Sequence, residues 1–294
     1  MRSIVVWLLL LSVLVAVVSI DVDGDSTCNK TVESLDATLV TLVATLETEF
    51  EQLKAEIKEN CCPAQSYSSC KEIYADNYGE NKAYLLQTDS GEIPVYCHMT
   101  TSGLGACGGG GWTLVMKIDG TKSTFHYDSE LWSNKTDFNI AGGKTGFDDD
   151  ETKLPTYWNT PFTKICLGMR IDQTTNFIVI NKTASSLYSL IADGNYRATS
   201  LGRDTWKSLV GSGGSLQLNC NREGFNAVGG DYPHSRARIG ILGNNENDCD
   251  KCDSRVGFGT GGKHDDSNTC GNEATRAPDN GMKRVKGMGY ILVQ

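Results

Sequence analysis

Eleven cysteines in a chain that opens on an export signal constrain its folding more than any other feature. The opening "MRSIVVWLLLLSVLVAVVS", residues 1–19, carries Arg2, an apolar run from Ile4 to Val18 and a small residue at Ser19. That is the pattern of a cleaved secretory signal. The run is short for a span, and Asp21, Asp23 and Asp25 follow it, so no membrane segment is expected after cleavage. In an exported chain, cysteines are expected as disulfides. Eight of them, Cys70, Cys97, Cys107, Cys166, Cys220, Cys249, Cys252 and Cys270, can close four bridges within one domain, with the connectivity left open. The other three, Cys28, Cys61 and Cys62, flank a helix-like stretch. Neighbours such as Cys61 and Cys62 rarely pair with each other, so this odd set points to interchain bonds. Sequons at Asn29, Asn134 and Asn181 agree with export and glycosylation.

Residues 31–60 contain no glycine or proline. Their apolar positions are Leu35, Leu39, Leu42, Leu46, Phe50, Leu53 and Ile57, in steps of 4, 3, 4, 4, 3 and 4. This is one apolar helix face with a four-residue stutter in a heptad pattern. We expect a short coiled-coil stalk over 20–62 that assembles with copies of itself. The alternative is a helix packed on its own domain. "PAQSYSS", 63–69, reads as the junction to a head that fills the remainder of 63–294.

In the head, strand-like runs fall at 83–88, 93–99, 112–118, 165–171, 177–181, 237–242 and 289–293. Helical pieces are expected at 184–192 and 204–210. Long Gly/Asn/Asp-rich stretches separate them, so the fold class is α+β, loop-rich and disulfide-stapled. The run Gly108–Gly111 is no phosphate cradle. No Lys-Ser/Thr follows it, and Trp112 opens a strand rather than a helix.

The segment "SCKEIYADNYGENKAYLLQTDSGEIPVYCHMTTSGLGACGGGGWTLVMKIDG" resembles the opening of the fibrinogen C-terminal domain, in particular its intelectin-like branch. "SRARIGILGNNENDCDKCDSRVGFGTGG", "SNTCGN" and "GMGYILVQ" resemble later parts of that branch. The pattern is also similar to fibrinogen-like proteins of calcified skeletal matrices. The resemblance implies a Cys70–Cys97 disulfide and a multimeric binding protein with a helical stalk. Cys107 is an extra cysteine for that family and is expected to tie its turn to a partner in the head, with Cys270 a candidate.

The net charge is −9, which argues against nucleic acid. No His-Glu-x-x-His or Gly-x-Ser-x-Gly is present, and the four histidines are scattered, so we expect no enzyme. Cys249-x-x-Cys252 could be redox-active or half of a zinc site completed by His264 and Cys270; an exported chain favours a disulfide. Calcium needs several carboxylate and carbonyl oxygens on a loop. Three clusters offer them: Asp148, Asp149 and Asp150; Asp248, Asp250 and Asp253; and Asp265 with Asp266. For a sugar site only His264, Asp265, Asp266 and Asn268, with Tyr290 as the one aromatic, stand near the positions that the resemblance would use. The basic group Lys283, Arg284 and Lys286 reads as a solvated turn. The expectation is thus a secreted, glycosylated homo-oligomer of an extracellular matrix, a mineralised skeletal matrix being its candidate setting. It would contact glycans, matrix components or mineral. The alternative is a calcium-dependent lectin.

Overall fold

The computed structural model describes residues 26–61, 66–76 and 79–294, with side chains of the first helix described from 38 to 56. The expected signal, Cys62 and the side chains of Cys28, Asn29 and Cys61 lie outside the described residues. The chain divides into two compact units, Met1–Gln65 and Ser66–Gln294.

The first unit holds helix α1, Ser26–Cys61. With no helix breaker from 31 to 60, the uninterrupted helix follows from composition. Among its described side chains the apolar stripe is largely exposed: Leu42 is 54%, Phe50 58% and Leu53 53% exposed.

The second unit begins with α2 (Cys70–Asp76), β1 (Lys82–Thr88), β2 (Gly91–His98), β3 (Trp112–Asp119), β4 (Thr152–Lys153), α3 (Thr156–Asn159), β5 (Phe162–Ile171) and β6 (Thr174–Ala184). It continues with α4 (Leu187–Ile191), β7 (Arg197–Ala198), α5 (Arg203–Ser208), β8 (Asn219–Val228), β9 (Arg236–Asn244), β10 (Ser254–Gly261), β11 (Cys270–Ala274), β12 (Lys283–Lys286) and β13 (Met288–Val293). One sheet runs β1-β2-β3-β13-β5-β6, with β4 on β3; the other runs β12-β11-β10-β9-β8-β7. Every described pairing is antiparallel.

The last strand closes the middle of the first sheet. Ile291 stands opposite Met116 of β3 on one side and Leu167 of β5 on the other. Alternation along these strands serves two cores. Ile165, Leu167, Met169, Ile291 and Val293 face Phe225, Ile239, Ile241, Val256 and Phe258 of the second sheet. Cys166, Tyr290 and Leu292 turn to the opposite face, where Ile73, Leu86, Val95 and Trp112 meet them.

The glycine run passes between α2 and the end of β2. A Cβ on Gly110 would sit 2.1 Å from the Met99 carbonyl oxygen, and one on Gly111 would sit 2.8 Å from Tyr74 Cβ. Gly111 also has φ +80°, which a side chain disfavours. The run is therefore a close-approach device. Trp112 is buried directly after it, and its indole N–H donates to the Gly108 carbonyl at 2.8 Å.

Among the described residues three disulfides form rather than four: Cys70–Cys97, as the resemblance implied, Cys107–Cys166 and Cys220–Cys249. Cys107 pairs with Cys166 on β5, with Cα atoms 5.6 Å apart, and not with Cys270. Its turn lies beside the first sheet, whereas Cys270 belongs to the second and packs against Gly289 within the interior. Cys252 and Cys270 keep buried free thiols, since Cys249 already occupies the Cys220 sulfur that stands next to Cys252.

Candidate functional site

The loops at the ends of β9, β10 and β11 converge on a polar cavity of about 270 Å³, lined by His234, Asn245, Glu246, Asp248, Lys251, Asp253 and Arg276. Asn244 closes β9, and its side-chain amide donates to the Asp248 carbonyl at 2.6 Å, curling the chain at once. The loop then folds back far enough for Ser235 N–H to donate to the Cys252 carbonyl at 2.9 Å. Gln217, fully buried, joins two walls: its Nε2 donates to Asn245 Oδ1 at 3.3 Å and to the Arg276 carbonyl at 3.1 Å.

Asp253 is the centre of charge. It is almost fully buried, with His264 Nε2 3.8 Å from one oxygen and Arg276 Nε 3.6 Å from the other. Burial holds the His264 imidazole below its ordinary range, although Asp253 pulls the other way, so the ring is neutral near pH 7. His234 Nδ1 is buried and has no hydrogen-bond partner among the described residues.

The segment that carries His264 is held from beneath by Arg255. Its guanidinium, fully buried, donates to the carbonyls of Gly262 at 3.2 Å, Lys263 at 2.7 Å and Asp265 at 2.6 Å. Burial lowers the Arg255 guanidinium to about 10, which still leaves it charged at neutral pH. Sequence reasoning passed over Arg255 and Gln217. Nothing in a single sequence marks a polar side chain that tertiary packing will enclose. His234 and Arg276 were passed over because they sit far from the acidic cluster along the chain.

The acidic residues read as calcium candidates are dispersed. Asp148 pairs with the buried Lys117 and Asp149 with Arg170, while Asp150 N–H donates to Asp148 Oδ1 at 3.1 Å. Asp248 and Asp253 line the cavity, and Asp250 lies on the loop beside it. Asp265 accepts from Ser267 N–H at 3.1 Å, and Asp266 contacts His126 Nε2 at 3.0 Å. Among the described residues no three His, Cys, Asp or Glu side chains gather as metal ligands.

Of the expected sugar contacts, only His264 reaches the edge of this site. Asn268 is buried, and its amide donates to the Val285 carbonyl at 3.0 Å, so it serves the sheet. Tyr290 lies in the first sheet, fully buried against Phe147, with its hydroxyl donating to the Asp148 carbonyl at 2.9 Å. The basic group falls on edge strand β12. There Lys286 Nζ donates to Ser267 Oγ at 2.7 Å, and Arg284 Nε stands 3.6 Å from Glu273. Asn181 is exposed on edge strand β6, open to a glycan, whereas Asn134 is half-buried and accepts from Lys153 Nζ at 3.0 Å through Oδ1.

No protein-family model matches the chain. No curated protein matches it either. Among solved structures it is similar to the fibrinogen-like globe domain of human ANGPTL6, with a TM-score of 0.32 and 13% identity, over 79% of this chain and 96% of that one. Among the described residues no helix is long and apolar enough to cross a membrane.

Proposed function

We propose that the protein is a secreted, oligomeric, non-enzymatic binding protein whose head, of the fibrinogen C-terminal type, takes a small polar ligand of the carbohydrate class. The cavity lined by His234, Glu246, Asp248, Asp253 and Arg276 carries this reading. Acidic and basic groups line it together, so donors and acceptors suited to a polyhydroxylated ligand face one space. Pairing of Asp148 and Asp149 with Lys117 and Arg170 removes one acidic patch that a mineral surface would need. Attachment to an extracellular matrix or its mineral is the second reading. It is favoured by Glu246, Asp248 and Asp250, all exposed on one loop.

A glycan array probed with the purified oligomer, with calcium and with chelator, tests the first reading. Saturable binding that is lost on Arg276→Ala supports it, and chelator sensitivity would show that ligand or buffer supplies a cation. Absence of binding to any glycan, together with retention on calcium carbonate, would replace it with the second.

A further inference from the structure

The Cys252 side chain does not line the cavity described above. It is buried, carries a free thiol, and places its Sγ 3.6 Å from Cys220 Sγ. Cys220 is bonded to Cys249. A thiol in contact with one sulfur of a disulfide is the arrangement from which exchange begins. We propose that Cys220, Cys249 and Cys252 form an exchangeable disulfide set, in which Cys252 takes Cys220 from Cys249 and leaves Cys249 as a thiol open to modification.

The step balances within the protein. Cys252 gives its proton to water, and its sulfur attacks Cys220 Sγ. The Cys252–Cys220 bond forms as the Cys220–Cys249 bond breaks. The bonding pair leaves on Cys249 Sγ, which then takes up a proton. One disulfide and one thiol exist before and after, so no oxidant or reductant is consumed.

The two ends of the exchange differ in surroundings. Cys252 packs with Ala227, Ala237 and Leu242, and against Gly229, where a Cβ would come within 2.5 Å of Cys252 Cβ. Cys249 is half-buried on the loop that walls the cavity, between exposed Asp248 and Asp250. Exchange therefore moves the thiol from the interior to that loop. There it can meet a soft electrophile or the disulfide of another molecule. Burial pushes the Cys252 thiol up to about 12, so thiolate is scarce at neutral pH. Exchange should quicken as pH rises, because more of the thiol is then ionised.

Lys251 lies between Cys249 and Cys252, so trypsin places the two cysteines on separate peptides. The full chain is held at pH 7 and pH 9 without added thiol, alkylated while folded, digested without reduction and read by mass spectrometry. The expected result is a Cys220–Cys252 peptide pair beside the Cys220–Cys249 pair, with alkylated Cys249 in matching amount. Both should grow faster at pH 9 than at pH 7. In Cys252→Ser, Cys249 should resist alkylation at both pH values. In Cys249→Ser, Cys220 and Cys252 should be found bonded. Finding only Cys220–Cys249 at both pH values, with Cys252 alkylated solely after unfolding, overturns the proposal. Equal alkylation of Cys249 in Cys252→Ser overturns it as well. The wild-type and Cys252→Ser arms decide the matter if Cys249→Ser does not fold.

Discussion

Gly110 and Arg255 are single residues whose roles differ in how they can be read. A methyl on Gly110 would press on backbone, the Met99 carbonyl, which cannot rotate away as a side chain can. Gly110→Ala should therefore cost about 3 kcal/mol, the upper end of ordinary overpacking. Gly213→Ala, where a Cβ would meet nothing within 4 Å, should stay within about 0.5 kcal/mol. Urea unfolding of the two variants makes the comparison, and equal midpoints would refute it. Arg255→Leu should cost about 3 kcal/mol or more, because it removes the guanidinium donor from three loop carbonyls and leaves Glu273, its cross-strand neighbour, buried without that cation. Adding Glu273→Leu should recover part of the loss in the same assay. The glycine run and Trp112 were legible in the sequence, since both act locally. Arg255 was not, because its partners come from a loop that the chain reaches only after β10.

Elements divide in the same way. Strands β1, β3, β5 and β13 are dense in apolar residues and were expected close to their actual bounds. Strands β10 and β11, "SRVGFGTG" and "CGNEA", were missed. Their glycines let neighbouring strands approach: Gly257 stands opposite Gly240, where a Cβ would lie 2.5 Å from the Val256 carbonyl oxygen. Such strands lack the β-branched signal. Helix α5 was expected, but its anchor was not. Asp279 accepts from Arg203 at 2.8 Å, Lys207 at 2.6 Å and Leu216 N–H at 3.0 Å, tying α5 to the segment before β12. Burial raises this carboxyl, but the bonds from Lys207 and Arg203 outweigh it and hold the group at about 2. A carboxyl with a lowered folded value stabilises above its ordinary range, and that contribution is lost as pH falls from about 4 towards 2. Asp279→Asn should cost about 2 kcal/mol at pH 7 and little at pH 2, read as unfolding midpoints across that window. The Cys107–Cys166 bridge acts on the same scale. It closes a separation of 59 residues, so Cys107→Ser with Cys166→Ser should cost about 4 kcal/mol by chain entropy. Calorimetry would show a drop in Tm, and an unchanged Tm would mean that packing alone holds the turn.

At the scale of the whole molecule, the proposed binding role would depend on the exposed stripe of α1. A polar cavity of about 270 Å³ holds a small ligand with few contacts, so one head is expected to bind weakly. Several heads on one stalk would raise the effective affinity through local concentration alone. The helix periodicity was legible because steps of three and four fix a face, but a heptad pattern names no chain count. Leu42, Leu46, Phe50 and Leu53 are exposed large apolar side chains on one helix, and water disfavours that exposure. Each is worth about 1.5–3 kcal/mol when buried against a second copy. Leu46→Asp with Phe50→Asp should convert the oligomer to monomer in light scattering under reducing conditions. The head's own unfolding midpoint should not move, since Ser66–Gln294 is a separate compact unit. Binding to a dense glycan surface should fall at least tenfold while single-site affinity stays constant. An oligomer that survives both substitutions in reductant would assign assembly to the heads instead of the helix.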